Sequence, residues 1–146
     1  MEFNVRPAES GDYARAYAIE RECLDTFWSE EQIKNAAKNG NIYLVAEYGG
    51  TAAGIISAVY CCGVCEIMNL AVAPEFRRKG AAGKLLRELE KTVISLGGEK
   101  TVLEAAEDNT AALRLYERCG YLPVGRRKGF YKGTDAILME KILLQH

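Results

Sequence analysis

The stretch from Cys65 to Ala105 constrains the fold of this 146-residue chain more than any other. Cys65 to Ala73, ended by Pro74, reads as a strand. Gly80 to Leu96 then repeats apolar residues at Leu85, Leu86, Leu89, Val93 and Leu96, the spacing of an amphipathic helix, closed by Gly97-Gly98. Thr101 to Ala105 is apolar again and reads as the next strand. Asn109 can cap a further helix running to Cys119, with Gly120 as its left-handed terminator. Strand and helix in alternation put this part of the chain into a sheet covered by helices.

The flanking segments add strands of the other kind. Ile42 to Tyr48 and Ala52 to Tyr60 are apolar runs joined by Gly49-Gly50, a hairpin signal. Phe3 to Arg6 alternates and stops at Pro7, while Tyr121 to Phe130 and Ala136 to Leu144 finish the chain as two strands. Ala16, Ile19, Cys23 and Phe27 make one apolar stripe, so a helix is predicted from Asp12 to about Phe27. Ser29-Glu30-Glu31-Gln32 has the capping-box pattern and starts a second helix that stops near Asn39-Gly40. The predicted order is β-α-α-β-β-β-α-β-α-β-β, an α/β (α+β) chain with a mixed sheet in a single domain over residues 1–146. An apolar content of 49% is enough for a core.

Charge and cysteine content exclude several classes. A formal net charge of −1 gives no bulk attraction for nucleic acid or an anionic membrane. No apolar run approaches the ~20 residues of a membrane helix, and Met1 to Arg6 lacks a signal-peptide pattern, so the cytoplasm is the expected location. The five cysteines, Cys23, Cys61, Cys62, Cys65 and Cys119, are an odd number and argue against a disulfide framework. Cys62 and Cys65 have C-x-x-C spacing. There is no second pair, and the only histidine is His146, so reduced cysteines in or beside a strand are expected and no metal.

The turn before the predicted helix carries the first chemistry. Arg77-Arg78-Lys79 is followed by Gly80-Ala81-Ala82-Gly83. The first amides of a helix have no intrahelical acceptor and carry partial positive charge. Small side chains let a phosphate approach them, and cations add attraction, so the turn suits a pyrophosphate. The spacing matches neither a Walker loop nor a dinucleotide fingerprint.

Arg77-Arg78-Lys79-Gly80-Ala81-Ala82 resembles the acyl-CoA motif Q/R-x-x-G-x-G/A of the GNAT acetyltransferase superfamily. Asn109-Thr110-Ala111-Ala112-Leu113-Arg114-Leu115-Tyr116 through Gly120-Tyr121 resembles that superfamily's second block, N-x-x-A-x-x-L-Y-x-x-x-G-[FY]. Tyr17-x-Ile19-Glu20, Trp28-Ser29-Glu30 and Asp135-Ala136-Ile137-x-Met139 are similar to the ribosomal-protein-alanine N-acetyltransferases within it. The resemblance implies a GNAT fold, with about six to seven strands in a mixed sheet and about four helices. It implies acetyl-CoA as cofactor and an amine as acceptor. The acceptor it implies is the N-terminus of a protein, a ribosomal protein among the possibilities, and the chain a monomer or weak dimer.

The same resemblance assigns residues. Amides from Arg78 through Gly83, with Arg77, Lys79, Gly80, Ala81, Ala82 and Lys84, are expected to hold the pyrophosphate. Leu70, Ala71 and Val72, at a bulge in their strand, are expected to bond the pantetheine arm and the acetyl oxygen, since a bulge frees amides from the ladder. Asn109 caps its helix and bonds pantetheine. Glu104, on an apolar strand just before that helix, is the expected general base, with Glu66 in reserve as base or peptide ligand. Tyr116 is the expected proton donor to the leaving thiolate and also touches the cofactor; its alternative is a ring packed on the sheet. Trp28, Asn69 and Tyr131 are candidates for the acceptor groove. Cys119 has no histidine partner, which disfavours an acyl-cysteine route. Two other functions fit the same motifs: acetylation of a small amine such as a polyamine or aminoglycoside, and acyl-CoA binding without catalysis.

Overall fold

The computed structural model describes residues 2–131 and 133–143, apart from the side chain of Tyr131. The strands are β1 (Asn4–Pro7), β2 (Ile42–Tyr48), β3 (Thr51–Cys61), β4 (Val64–Val72), β5 (Lys100–Ala106), β6 (Leu122–Tyr131) and β7 (Thr134–Ile142). The helices are α1 (Tyr13–Cys23), α2 (Glu30–Lys38), α3 (Ala81–Ser95) and α4 (Thr110–Arg118). One sheet runs β1-β2-β3-β4-β5-β7-β6. Its ladders are antiparallel except β4–β5, the pair joined by the α3 crossover. The predicted element order and the mixed sheet are both present. Leu144 and His146 lie outside the described residues.

Local chemistry sets most of the boundaries. The Ser29 side chain accepts from the Gln32 amide (3.1 Å) and the Gln32 side chain accepts from the Ser29 amide (2.8 Å), so the capping box closes both ways. Gly49 and Gly50 turn the β2–β3 hairpin with φ of 58° and 83°, angles that favour glycine at both positions. Cys62 and Gly63 turn the β3–β4 hairpin in the same way, with Cys62 at φ 54°. That turn leaves Cys62 exposed and sends Cys65 into the core, where burial pushes its thiol up to about 12. The C-x-x-C pair therefore does not face one site.

One predicted boundary is corrected. The apolar stripe extends to Phe27, but α1 ends at Cys23, and Leu24 is extended (φ −120°, ψ 141°). The fully buried Glu20 side chain accepts the Trp28 amide at 3.1 Å, which folds the connector back against α1. Phe27 stays 40% exposed, its ring 6.1 Å from that of Tyr17.

The core lies on both sides of the sheet. On one side α3 buries Leu85, Leu86, Leu89 and Val93 against Leu44, Ile56, Leu103 and Met139. On the other, Ala16, Ile19 and Ile33 from α1 and α2 cover Val45, Ile55 and Ala71. α1 and α2 cover the β2–β4 half of that second face. The cost of opening the larger cluster is testable. Leu86→Ala removes a side chain with no solvent exposure and is expected to destabilise the fold by about 2–5 kcal/mol, seen as a lower urea midpoint with unchanged slope.

Candidate active site

The parallel ladder between β4 and β5 is short. It pairs Val64, Cys65 and Glu66 with Lys100, Thr101 and Val102, and then the strands part. From Ile67 onward, among the described residues, β4 pairs with β3 alone. The Ala73 amide donates to Ala53 on β3 at 2.8 Å. Because successive amides alternate sides, those of Ala73 and Ala71 face β3, and those of Leu70 and Val72 face the gap. The bulge is also there, but at Met68, which has no partner between Ile67↔Ala58 and Asn69↔Ser57. This corrects the expectation of a bulge at Leu70–Val72. The free donors at Leu70 and Val72 come from the parting of two strands, and Ala71 keeps its amide in the ladder.

The entrance of α3 opens beside that gap. Gly80 caps the helix at φ 89°, with no side-chain hydrogen bond to the first amides. Apart from its own chain neighbours, nothing among the described residues lies within 4 Å of the place a Cβ on Gly80 would take. Lys84 donates to the Gly80 carbonyl at 3.1 Å, which leaves the amides of Ala81, Ala82 and Gly83 without helical acceptors. Arg78 has a left-handed backbone (φ 62°), and neither Arg78 nor Lys79 forms an ion pair among the described residues. Lys84 reaches Glu88 at 3.6 Å. Arg77 turns back instead, its Nε donating to the Val72 carbonyl (3.1 Å) and its Nη2 to Cys23 Sγ (3.3 Å). A helix entrance whose glycine cap offers no side chain, next to two open strand amides, fits the pyrophosphate and amide-bearing arm of acetyl-CoA.

The third part is a groove on the sheet face that α1 and α2 leave open. It measures about 430 Å³ and is lined by Val59, Glu66, Val102, Glu104, Val124 and Leu138, among others. Leu103 packs into the α3-side core, so Glu104 projects from the opposite face. It stands two residues beyond the last β4–β5 pair. Glu104 Oε1 accepts from Arg127 Nη2 at 2.6 Å, and Arg127 also lies 4.7 Å from the Phe130 ring centre. Oε2 of Glu104 has no protein partner among the described residues. Glu66 is exposed in the same groove.

The remaining predicted residues divide between site and core. Asn109 caps α4, its Oδ1 accepting the Ala112 amide at 3.3 Å. Tyr116 is nearly buried on α4, its ring edge-on to Tyr121 with centres 5.9 Å apart. The Trp28 ring packs beside Tyr43, with centres 6.5 Å apart. Asn69 Nδ2 donates to Glu20 Oε1 at 3.1 Å. Tyr131 ends β6 opposite Thr134, and its side chain lies outside the described residues. Cys119 is partly buried, and burial raises its thiol above the usual range. Sequence reasoning assigned no role to Arg127 or Glu20. Arg127 carries no local signal, because its partner lies 23 residues away. Glu20 carries a faint one, a charge beside the apolar stripe of α1.

Comparison with known proteins places this geometry. The Acetyltransferase (GNAT) family matches residues 10–121. The ribosomal-protein-S18-alanine N-acetyltransferase from Escherichia coli is similar at 25% identity, over 99% of this chain and 96% of that one, with a TM-score of 0.89. Ard1 from Thermoplasma volcanium is similar at 22% identity, over 99% of this chain and 100% of that one, with a TM-score of 0.91. The yncA protein of Salmonella typhimurium, with its cofactor acetyl-CoA, is similar at 20% identity, over 100% of this chain and 96% of that one, with a TM-score of 0.84. For the last two the likeness is one of fold.

Proposed function

The chain belongs to the acetyltransferase (GNAT) family, and we propose that it acetylates the α-amine at the N-terminus of a protein. The family reaction is acetyl-CoA-dependent N-acetylation, so the open points are the acceptor and the residues that act on it. The observation that carries the proposal is the parting of β4 from β5, which leaves the amides of Leu70 and Val72 on one lip of a gap whose other lip carries Glu104. The Escherichia coli relative acts on the alanine of ribosomal protein S18, which supports an alanine-starting ribosomal protein as acceptor.

The chain's own groups divide the work. Amides at the α3 entrance, with Arg78, Lys79 and Lys84, hold the pyrophosphate, and Asn109 supports the pantetheine arm. Acetyl-CoA supplies an activated acyl thioester. The Leu70 and Val72 amides face the gap, where they can bond the arm and stabilise charge on the acetyl oxygen. Glu104 takes the proton of the acceptor amine through Oε2, directly or through one water. The acceptor amine reacts without an acyl-cysteine, since Cys119 has no histidine partner among the described residues, and burial, with the Glu90 charge, raises its thiol and disfavours the thiolate.

The groove favours a peptide over a polyamine. Of its three carboxylates, Glu104 is paired with Arg127 and Glu140 with Lys100 at 3.3 Å, and Glu66 has no such partner among the described residues. The rest of the lining is largely apolar, unlike a deep acidic pocket. A peptide α-amine, with a reference pKa near ~8, also deprotonates more readily than a lysine amine near ~10.4. Release of CoA from acetyl-CoA, followed across N-terminal peptides, lysine peptides and polyamines, tests the acceptor. Fastest turnover on an alanine-starting peptide is expected, and preference for a polyamine would reject it.

Tyr116 is the proposed proton donor to the departing thiolate, although its ring packs in the core. Tyr116→Phe keeps that packing and removes the hydroxyl. Turnover is expected to fall about 10- to 100-fold, with affinity for acetyl-CoA kept, as measured by steady-state kinetics and calorimetry. An unaffected rate would leave the residue with packing alone.

A further inference from the structure

Glu20 is a carboxyl group buried under α1. Its relative exposure is 0%, and burial pushes its carboxyl up, while hydrogen bonds from Tyr43 and the Trp28 amide pull the other way. Glu20 forms no ion pair among the described residues. Its oxygens collect three donors from three parts of the fold. Oε2 accepts from the Tyr43 hydroxyl on β2 (2.5 Å), and Oε1 accepts from the Trp28 amide in the α1–α2 connector and from Asn69 Nδ2 on β4 (both 3.1 Å). Burying such a group is costly unless its partners compensate, so its placement calls for a reason beyond packing.

Beneath it the strands align a polar row. Tyr43 pairs with Ser57, and Ser57 with Asn69. Asn69 is held by its amide nitrogen, because a carboxylate oxygen can only accept. Its Oδ1 is therefore turned away from Glu20, and it has no protein partner among the described residues, although Asn69 is only partly buried. The neighbouring Ser57 Oγ is buried and also lacks a protein partner among the described residues. Buried polar atoms without a partner are rare in folded proteins, and the one at Ser57 calls for an explanation such as a water or a ligand at this row.

The position of this row matters. Asn69 follows the bulged Met68, on the β4 side of the gap. Had the parallel ladder continued two residues past Glu66–Val102, Met68 would face Glu104. Asn69 and Glu104 both project toward the α1 side of the sheet, from opposite lips of the gap. An amine delivering its proton to Glu104 would come within the neighbourhood of the open Asn69 carbonyl.

We infer that Asn69 Oδ1 accepts an N–H of the acceptor, from its α-amine or first peptide bond, and that Glu20 is the positioning residue fixing that carbonyl toward the groove. The inference rests on the proposal that the acceptor amine enters over β4 beside Glu104. It separates two jobs on one strand: Leu70 and Val72 present donors to the acyl donor, and Asn69 presents an acceptor to the amine.

Steady-state kinetics with an alanine-starting peptide and with acetyl-CoA, each varied in turn, test this in four proteins. Asn69→Leu keeps the side-chain shape and removes the carbonyl; the acceptor kcat/KM is expected to fall about tenfold or more, with the acetyl-CoA KM unchanged. Glu20→Leu should raise the acceptor KM by about tenfold in the same selective way. Glu20→Gln, which keeps an oxygen for Asn69 and Trp28, should stay within about threefold of the parent. The double variant Glu20→Leu/Asn69→Leu should be no worse than Asn69→Leu alone, because Glu20 acts through Asn69. Additive losses, or equal losses in both substrates, would overturn the inference, as would an Asn69→Leu protein with full acceptor kcat/KM. If Glu20→Leu fails to fold, Asn69→Leu and Glu20→Gln decide alone. A parent protein that ignores every N-terminal peptide but acetylates another amine would reject the acceptor reading only, and the same variants then report on that amine.

Discussion

Glu104→Gln is expected to lower kcat toward an N-terminal peptide about 10²- to 10⁴-fold near neutral pH, the span that a positioned general base supplies. Glutamine keeps the volume of the side chain and an oxygen for the Arg127 guanidinium, which binds Oε1 at 2.6 Å. What it loses is the ability to take a proton. Glu104 lies on β5, a strand fixed on its other side by the β7 ladder from Lys100 to Ala106, so the exchange should leave the fold and the α3 entrance intact. Affinity for acetyl-CoA, read by calorimetry, should therefore match the parent. The deficit should also depend on pH. A peptide α-amine loses its own proton near pH ~8, so the gap between variant and parent should narrow as the pH rises past that value. CoA release measured across that range provides the check. A variant with parental activity at every pH would remove Glu104 from the reaction and leave its pairing with Arg127 as a surface contact worth little.

What could be read from the sequence was what local interactions decide. The Ser29–Gln32 capping box, the Gly49-Gly50 hairpin, the Asn109 cap and the apolar stripe of α3 depend on residues a few positions apart, and each is present. The end of α1 was misplaced because a contact eight residues long, Glu20 to the Trp28 amide, overrides the stripe that continues to Phe27. The order of the last strands was equally hidden: β7 inserts between β5 and β6, which no periodicity encodes. For the site, the motifs led to the right segments but not to their geometry. Free amides were expected from a bulge at Leu70–Val72. They arise because β5 leaves β4 after Glu66, and the bulge itself falls at Met68. Glu20 gave only a faint signal because its importance lies in partners on β2 and β4, 23 and 49 residues away.

Ala82→Asp should weaken acetyl-CoA binding about 100-fold or more while leaving the fold as stable or slightly more so. The two effects have opposite signs because they share one cause. The first turn of α3 contains no acidic residue, and its cap, Gly80, contributes no side chain. The unfilled amides of Ala81, Ala82 and Gly83 and the positive end of the helix favour any nearby negative charge. An aspartate in that turn satisfies the field from within the chain, which is worth about 0.3–1 kcal/mol of stability. The same carboxylate then stands where a pyrophosphate must come, and like charges brought together cost several kcal/mol, about two factors of ten or more in affinity. Ala82→Lys reverses both signs: a cation at the helix entrance lowers stability slightly and should preserve or strengthen cofactor binding. Calorimetric titration with acetyl-CoA, paired with urea unfolding, reads both quantities for both variants. A purely steric entrance would lose affinity with either side chain, whereas an electrostatic one separates them. Equal loss with aspartate and lysine would therefore reject the α3 entrance as a charge-reading cradle, even if the protein still bound its cofactor elsewhere along the gap between β4 and β5.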